Sequence, residues 1–377
     1  MIPDPAVHDP AAHFLFVTCQ VGAEKAVKGE LARQWPDFRL AFSRGGFLTF
    51  KLPEGPYFPP DFDLESVFAR AYGFSLGKAT ADSEDARARE AWNLLADRPV
   101  QRIHVWPRDR AEPGDHGFEP SSITPEATAA WQALREACPR PERLAGSADP
   151  VETARPGDWV LDCVLVDPGQ WWVGYHRARS VPSRWPGGML PLALPPEAVS
   201  RAWLKMEEAL RWSQMPIPRG ARCAEIGSAP GGASQSLLSR GVEVLGIDPA
   251  EMHPAVLGHP RFRHIRRRAA QVPRREFRKV RWLTADMNVA PKFTLDAIEA
   301  IVLHPEVNIR GLLATFKLPD WNLAGHVPEY LARVRSWGYN VIHARQLQHN
   351  RREFCVAALQ KPFRRKPLLA KRPPPKS

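Results

Sequence analysis

The chain has 377 residues, 52 of them Lys or Arg against 41 Asp or Glu, for a formal net charge of +11. That length suits about two domains, each able to bury a core, and the positive excess points to nucleic acid before any other partner. Five scattered cysteines (Cys19, Cys138, Cys163, Cys223, Cys355) without a C-x-x-C pair argue against disulfides and zinc, and the apolar stretch Phe14 to Val17 is too short for a signal or a membrane span, so a reducing cytoplasm is expected, with no membrane and no metal.

Phe14 to Val17 reads as a strand, Glu24 to Trp35 as a helix, and Gly46 to Leu52 as a second strand with alternating Phe47, Thr49 and Lys51, an α+β start. A helix is expected near Leu64 to Tyr72 and a strand over Gln101 to Trp106. Residues 108–156 are rich in Pro, Gly, Asp, Glu and Ser with one helical island around Ala127 to Ala137, and read as a surface insertion. Trp159 to Asp167 and Gln170 to Tyr175 are strands joined by the turn Asp167-Pro168-Gly169, which closes a first domain over 1–180. Five prolines between Pro182 and Pro196 make 181–196 an extended linker.

Over 197–360 helices and strands alternate: helix Glu197 to Trp212, strand Cys223 to Gly227, helix Gly232 to Ser239, strand Val242 to Asp248, strands Arg263 to Arg267 and Arg281 to Asp286, helix Leu295 to Leu303, strand Leu312 to Lys317, helix His326 to Trp337, and strands Asn340 to Arg345 and Glu353 to Leu359. This string predicts an α/β domain with a parallel, doubly wound, Rossmann-like sheet. In such sheets ligands sit beyond the carboxyl ends of the strands, where Gly227, Asp248, Asp286 and Lys317 all fall.

Glu225-Ile226-Gly227-Ser228-Ala229-Pro230-Gly231-Gly232 ends an apolar run in a glycine-rich turn that opens a helix, and Asp248 closes the next apolar run. Gly227, Gly231 and Gly232 let backbone approach a ligand closely. Ala229 stands where a dinucleotide fingerprint needs glycine, and no Lys follows Gly232 as a Walker loop requires. An acid at the tip of the second strand suits a ribose diol, which leaves S-adenosylmethionine as the expected cofactor.

Lys205, Asp286, Lys317 and Glu353 each lie on the helix before the glycine loop or at a strand end. Taken alone, Lys205 in Leu-Lys-Met-Glu-Glu reads as a solvated helix position and Asp286 as a turn former. Taken together, two cations and two carboxylates around one cleft can hold a hydroxyl and take its proton. A Lys does that only if its pKa falls from about 10.4 toward neutrality, and a second Lys nearby works in that direction.

The run Ser200 to Lys205, the glycine loop, Ala285-Asp286-Met287, Phe316-Lys317-Leu318-Pro319, and Ala344-Arg345-Gln346-Leu347 leading to Arg352-Glu353 together resemble the FtsJ-type RNA 2′-O-ribose methyltransferases, which carry a Lys-Asp-Lys-Glu tetrad in this order. Within that group the chain is most similar to the bacterial RlmM family, whose members have an N-terminal THUMP region; Cys19 to Leu31 is similar to THUMP-associated ferredoxin-like modules. The resemblance implies Lys317 as proton acceptor, Lys205 and Glu353 as residues that orient the ribose, and Asp286 between cofactor and substrate. It also implies 23S ribosomal RNA or a pre-ribosomal particle as partner and a cytidine as target, although no residue of this chain is identifiable as reading that base.

The chain departs from the family where an acid after the third strand meets the adenine amino group: here it reads Arg266-Arg267-Arg268-Ala269-Ala270. Arg261 to Arg281 holds ten Lys or Arg and the single acid Glu276, either a solvated sheet edge or a track for an RNA backbone. The tail 361–377, with seven basic residues, no acid and four prolines after Lys366, is expected to be disordered and to add salt-sensitive RNA affinity. Trp171 and Trp172 should face opposite ways, one exposed for base stacking or packing, and His304 reads as a helix-end histidine.

Overall fold

A computed structural model describes residues 13–54, 62–112, 123–144 and 149–360; the basic tail lies outside the described residues. The N-terminal half comprises β1 (Phe14–Cys19), α1 (Glu24–Gln34), β2 (Arg39–Arg44), β3 (Phe47–Lys51), β4 (Ala69–Ala79), α2 (Glu84–Leu95), β5 (Arg102–Pro107), α3 (Pro125–Glu136), β6 (Trp159–Asp167) and β7 (Gln170–Arg177). Its seven strands form one sheet in the order β2-β3-β1-β4-β7-β6-β5, antiparallel except for the β5–β6 pair. Parallel neighbours need a crossover, and α3 supplies it.

That crossover overturns the expectation of a surface insertion over 108–156. Thr124 caps α3 with Pro125 at its first position, and Ala127, Ala130, Trp131, Ala133 and Leu134 are buried in the core of this half. The Trp92 indole of α2 donates to the Leu134 carbonyl at 2.7 Å.

The expected helix at Leu64 to Tyr72 is instead a loop running into β4. Leu64, Val67 and Phe68 have helical spacing and are buried, but the buried Glu30 carboxylate of α1 accepts the Val67 amide at 3.1 Å and the Phe68 amide at 3.3 Å, together with the Ser66 hydroxyl. Donors that a helix would use internally are thus bound from outside.

Trp171 and Trp172 do face opposite ways, yet both are buried, so neither is open to a base. Trp171 packs with the α2–α3 core, while Trp172 lies against Phe47, under the Lys78 ammonium, and donates to Ser75 Oγ at 2.6 Å.

Nor is 181–196 an extended linker. Its prolines start two short 3-10 turns, Pro182–Arg184 and Pro186–Gly188, which bury Trp185, Met189 and Leu190. The His176 ring fastens this segment to the sheet, with Nδ1 2.6 Å from Asp162 Oδ2 and Nε2 2.7 Å from the Ser183 carbonyl. Burial opposes charge on His176, but Asp162 and the Ser183 carbonyl raise its pKa.

The C-terminal half comprises α4 (Ala202–Ser213), β8 (Arg222–Ile226), α5 (Gly232–Ser239), β9 (Glu243–Ile247), α6 (Pro254–Leu257), β10 (Phe262–Ile265), β11 (Trp282–Asp286), α7 (Pro291–Val302), β12 (Gly311–Lys317), α8 (Val327–Ser336), β13 (Val341–Arg345) and β14 (Glu353–Leu359). The sheet order is β10-β9-β8-β11-β12-β14-β13. The strands from β10 to β12 are parallel, as expected; β14 is antiparallel to both β12 and β13. The short connection after β13 can only return the chain antiparallel. This inverted strand carries Glu353 to the same sheet edge as Lys317.

The halves share a buried boundary. Phe68 packs edge-on to Phe354 and Trp321, and the Gln346 amide donates to the Val67 carbonyl at 2.7 Å. The buried Arg345 guanidinium donates to the carbonyls of Arg70 at 2.8 Å and Gly188 at 2.9 Å.

Candidate active site

Sheet register alone sets three of the four candidate residues side by side. Asp286 ends β11 opposite Thr315 of β12, and two residues further along β12 Lys317 pairs with Glu353 at the start of β14. Lys205 comes in from α4, whose buried face (Leu204, Glu208 and Leu210 among others) fixes its approach. Lys205 Nζ lies 2.5 Å from Glu353 Oε1 and 3.3 Å from Asp286 Oδ2; Lys317 Nζ lies 3.0 Å from Asp286 Oδ1 and also bonds Glu353 Oε2. Two cations and two anions alternate in a closed ring.

The electrostatics reverse one expectation. Burial favours neutral Lys317, but Asp286 and Glu353 outweigh it and hold the pKa well above the ordinary lysine value. The expected lowering by Lys205 is outweighed, because the two carboxylates that Lys205 contacts also contact Lys317. Burial likewise penalises the Glu353 carboxylate, and the two lysines overcome that and keep its pKa low.

Behind this ring lies a polar layer that sequence reasoning missed. Asn350, fully buried, donates from Nδ2 to Glu353 Oε1 at 3.1 Å and accepts the Leu347 amide at 2.8 Å. Its carbonyl accepts Gln20 Nε2 at 2.6 Å, from just beyond β1 of the N-terminal half. Gln348 donates its amide to Glu208 at 2.9 Å, and burial pushes the Glu208 carboxyl up to about 7. The available signal was the cluster Gln346, Gln348 and Asn350 between two apolar strands, too polar for a solvent-free turn unless its side chains bond across it.

The glycine loop stands beside the ring, but its glycines are demanded by the chain itself. Gly227 has φ +78°, and a Cβ there would meet the Asp286 carbonyl oxygen at 2.5 Å. Gly231, the left-handed residue opening α5, would set a Cβ 2.7 Å from Val256 Cγ2, and at Gly232 it would strike Ser200. Their absent side chains therefore seat the loop against Asp286, α6 and the start of α4.

The remaining cofactor candidates divide by exposure. Ser228 is buried against Met252, while Ala229 and Pro230 lie at the loop's rim, joined by a cis peptide bond. Asp248 accepts the Ala229 amide at 3.2 Å and the Ala250 amide at 2.8 Å, one on each oxygen, and retains lone pairs for hydroxyl donors. No side chain caps the N-terminus of α5. Glu225 is buried under the loop and bonded to Ser234, which makes it a support; burial pushes its carboxyl up to about 8. A diol acceptor and a glycine turn fit an adenosine-bearing cofactor, and the uncapped helix amides suit an anionic group such as a carboxylate. Arg266, Arg267 and Arg268 are exposed beyond β10, and Arg266 pairs with Glu251 at 3.1 Å, so no acid of this segment faces an adenine.

Residues 198–319 match the FtsJ-like methyltransferase family. The chain is similar to "Ribosomal RNA large subunit methyltransferase M" of Halorhodospira halophila, 34% identical over 48% of this chain and 53% of that one, and to the protein of the same name from Laribacter hongkongensis, 29% identical over 46% and 51%. It thus spans about half the length of the curated relatives it matches. Among solved structures, TrmN from Thermus thermophilus is 15% identical, covers 92% of this chain and 99% of its own, and gives a TM-score of 0.35, too loose a likeness to bear on function. The glycine loop and three of the four ring residues, Lys205, Asp286 and Lys317, fall within residues 198–319, the stretch that matches the FtsJ-like methyltransferase family, while Glu353 lies beyond it.

Proposed function

We propose that this chain is an S-adenosylmethionine-dependent RNA 2′-O-ribose methyltransferase that acts in the cytoplasm on a cytidine of 23S ribosomal RNA, with Lys317 taking the proton of the attacking hydroxyl. The observation that carries the reading is the closed ring of Lys205, Asp286, Lys317 and Glu353 beside the glycine loop. The relatives' printed name supports large-subunit ribosomal RNA as substrate, as does the net charge of +11. The N-terminal sheet is proposed to be the THUMP-like region that selects the site on RNA.

Asp248, the loop 227–232 and the first turn of α5 would hold the cofactor, which supplies an electrophilic methyl group on a positively charged sulfur. Lys205 and Glu353 orient the ribose hydroxyl. Lys317 is protonated at rest, so it would act as a base only after giving that proton to solvent, a loss that the cofactor's positive charge near the ring would favour. It ends the reaction as the ammonium that Asp286 and Glu353 stabilise, and the charge of the site is the same before and after. Alignment and one proton transfer are the protein's contribution.

The test is transfer of labelled methyl to unmodified 23S, 16S and transfer RNA, followed by nucleoside analysis. Label found as 2′-O-methylcytidine in 23S RNA alone supports the reading. Cofactor binding without label on any RNA or pre-ribosomal particle would leave a binding protein with a methyltransferase fold.

A further inference from the structure

At the edge of the catalytic sheet opposite the lysine–carboxylate ring, the starts of β8, β9 and β10 and the turn over residues 274–280 enclose an open cleft of about 740 Å³. Six cations line it: Arg222, Arg261, Arg263, Arg275, Arg278 and Lys279. All six are exposed, against two lining carboxylates, Glu243 and Glu276. Arg222 pairs with Glu243 at 2.7 Å, Arg263 with Glu276, and Arg278 with Glu306 just outside at 2.5 Å. Exposed pairs of this kind are worth about 0–1 kcal/mol, so a polyanion can displace the carboxylates cheaply. Arg275 reaches only to 3.9 Å from the already paired Glu276.

We infer that this cleft is a second RNA-binding surface, gripping phosphodiesters of a part of the RNA distant from the methylated ribose; the inference rests on the functional reading above. β8 is five residues long, so at ~3.3 Å per residue the cleft and the glycine loop are about 16 Å apart along that strand. One nucleotide cannot occupy both. An RNA that reaches both must wrap the sheet edge, which restricts productive binding to large or folded substrates. Arginine supplies planar donor pairs suited to phosphate oxygens, and Phe262, the one aromatic lining the cleft, is half-buried, so the grip is on backbone and carries no sequence preference.

The test uses the full chain with Arg263→Glu, Arg275→Glu and Lys279→Glu combined. A milder Arg275→Gln/Lys279→Gln variant guards against misfolding, and Lys292→Glu/Arg335→Glu, exposed on α7 and α8, controls for four of the six units of positive charge lost in the triple variant. Binding to transcribed 23S RNA is measured against salt, and cofactor affinity by titration. The expected result is tenfold or more weaker RNA binding in the triple variant and a slope of log Kd against log salt shallower by about 2, at ~0.7 per lost phosphate contact. The glutamine variant should be intermediate, with the control and cofactor affinity unchanged. Wild-type affinity and slope in the triple variant overturn the cleft while leaving the functional reading intact. Failure of the wild-type chain to bind RNA removes both. A defect seen only with assembled pre-ribosomal particles would assign the cleft to an acidic protein and overturn the RNA proposal.

Discussion

The two edges of the C-terminal sheet use the same residue types to opposite ends. At the carboxyl edge two lysines and two carboxylates close a ring in which Glu353 is buried and every charge is matched within the ring. At the amino edge six exposed cations meet two lining carboxylates. Removing one charge from the first strands its partners in a site that water reaches poorly, whereas removing one from the second changes a screened sum. A buried ring can steer one proton; an open excess can only attract an extended polyanion.

The largest effect should come from Lys317→Ala. Loss of a positioned proton acceptor is expected to cut single-turnover methyl transfer by about 10² to 10⁴. A variant as active as wild type would remove Lys317 from the chemistry. Proton release on cofactor binding, measured calorimetrically in buffers of different ionisation enthalpy, sharpens the point: it should be present in wild type and lost in this variant.

Gly231→Ala tests whether the loop is as tightly held as the ring. With φ +118° and a Cβ that would lie 2.7 Å from Val256 Cγ2, the substitution should cost about 1–3 kcal/mol in denaturant unfolding and weaken cofactor binding together. Intact stability with weakened binding would mean that the glycine serves the ligand instead of the packing against α6.

A smaller loss, about tenfold in kcat with KM for RNA unchanged, is expected from Asn350→Ala, on the scale of one hydrogen bond to a charged group. Because Asn350 acts through Glu353, the pH–rate profile should shift as well. A change in stability alone would make Asn350 structural only.

The periodicity of residues 197–360 was enough to show the alternating α/β half, and ionisable groups at its element ends singled out Lys205, Asp286, Lys317 and Glu353, but their closure into one ring is visible only in the fold. Near the ring, the inverted β14 was not legible, since direction is set by the length of the connection between strands and by neighbours far along the chain. The N-terminal half was read less well. The motif spacing of Leu64, Val67 and Phe68 is helical, and only the distant Glu30 carboxylate explains why no helix forms. Prolines suggested a linker over 181–196, yet their neighbours Trp185, Met189 and Leu190 are buried. Asn350 and Gln20 could not be joined on paper at all, being 330 positions apart in sequence.

Two glutamates of adjacent strands differ in how pH acts on them. Burial raises Glu225 from the ordinary 4.5 to about 8, reinforced by the nearby negative charge of Asp286 and Asp248 although its bond to Ser234 works the other way. Between those two values the folded chain holds a proton that the unfolded chain has lost, so this group's contribution is fully present below pH 4.5 and is lost as pH rises through 8. The slope is at most about 1.4 kcal/mol per pH unit. Glu225→Gln should therefore flatten the fall in unfolding free energy across that window and leave the variant relatively more stable above pH 8. Glu243→Gln, at the exposed edge, should shift stability by about 0.5 kcal/mol or less. Equal pH profiles for wild type and Glu225→Gln would show that the carboxyl under the glycine loop is already ionised, so that the loop stands over a negative charge facing the cofactor site.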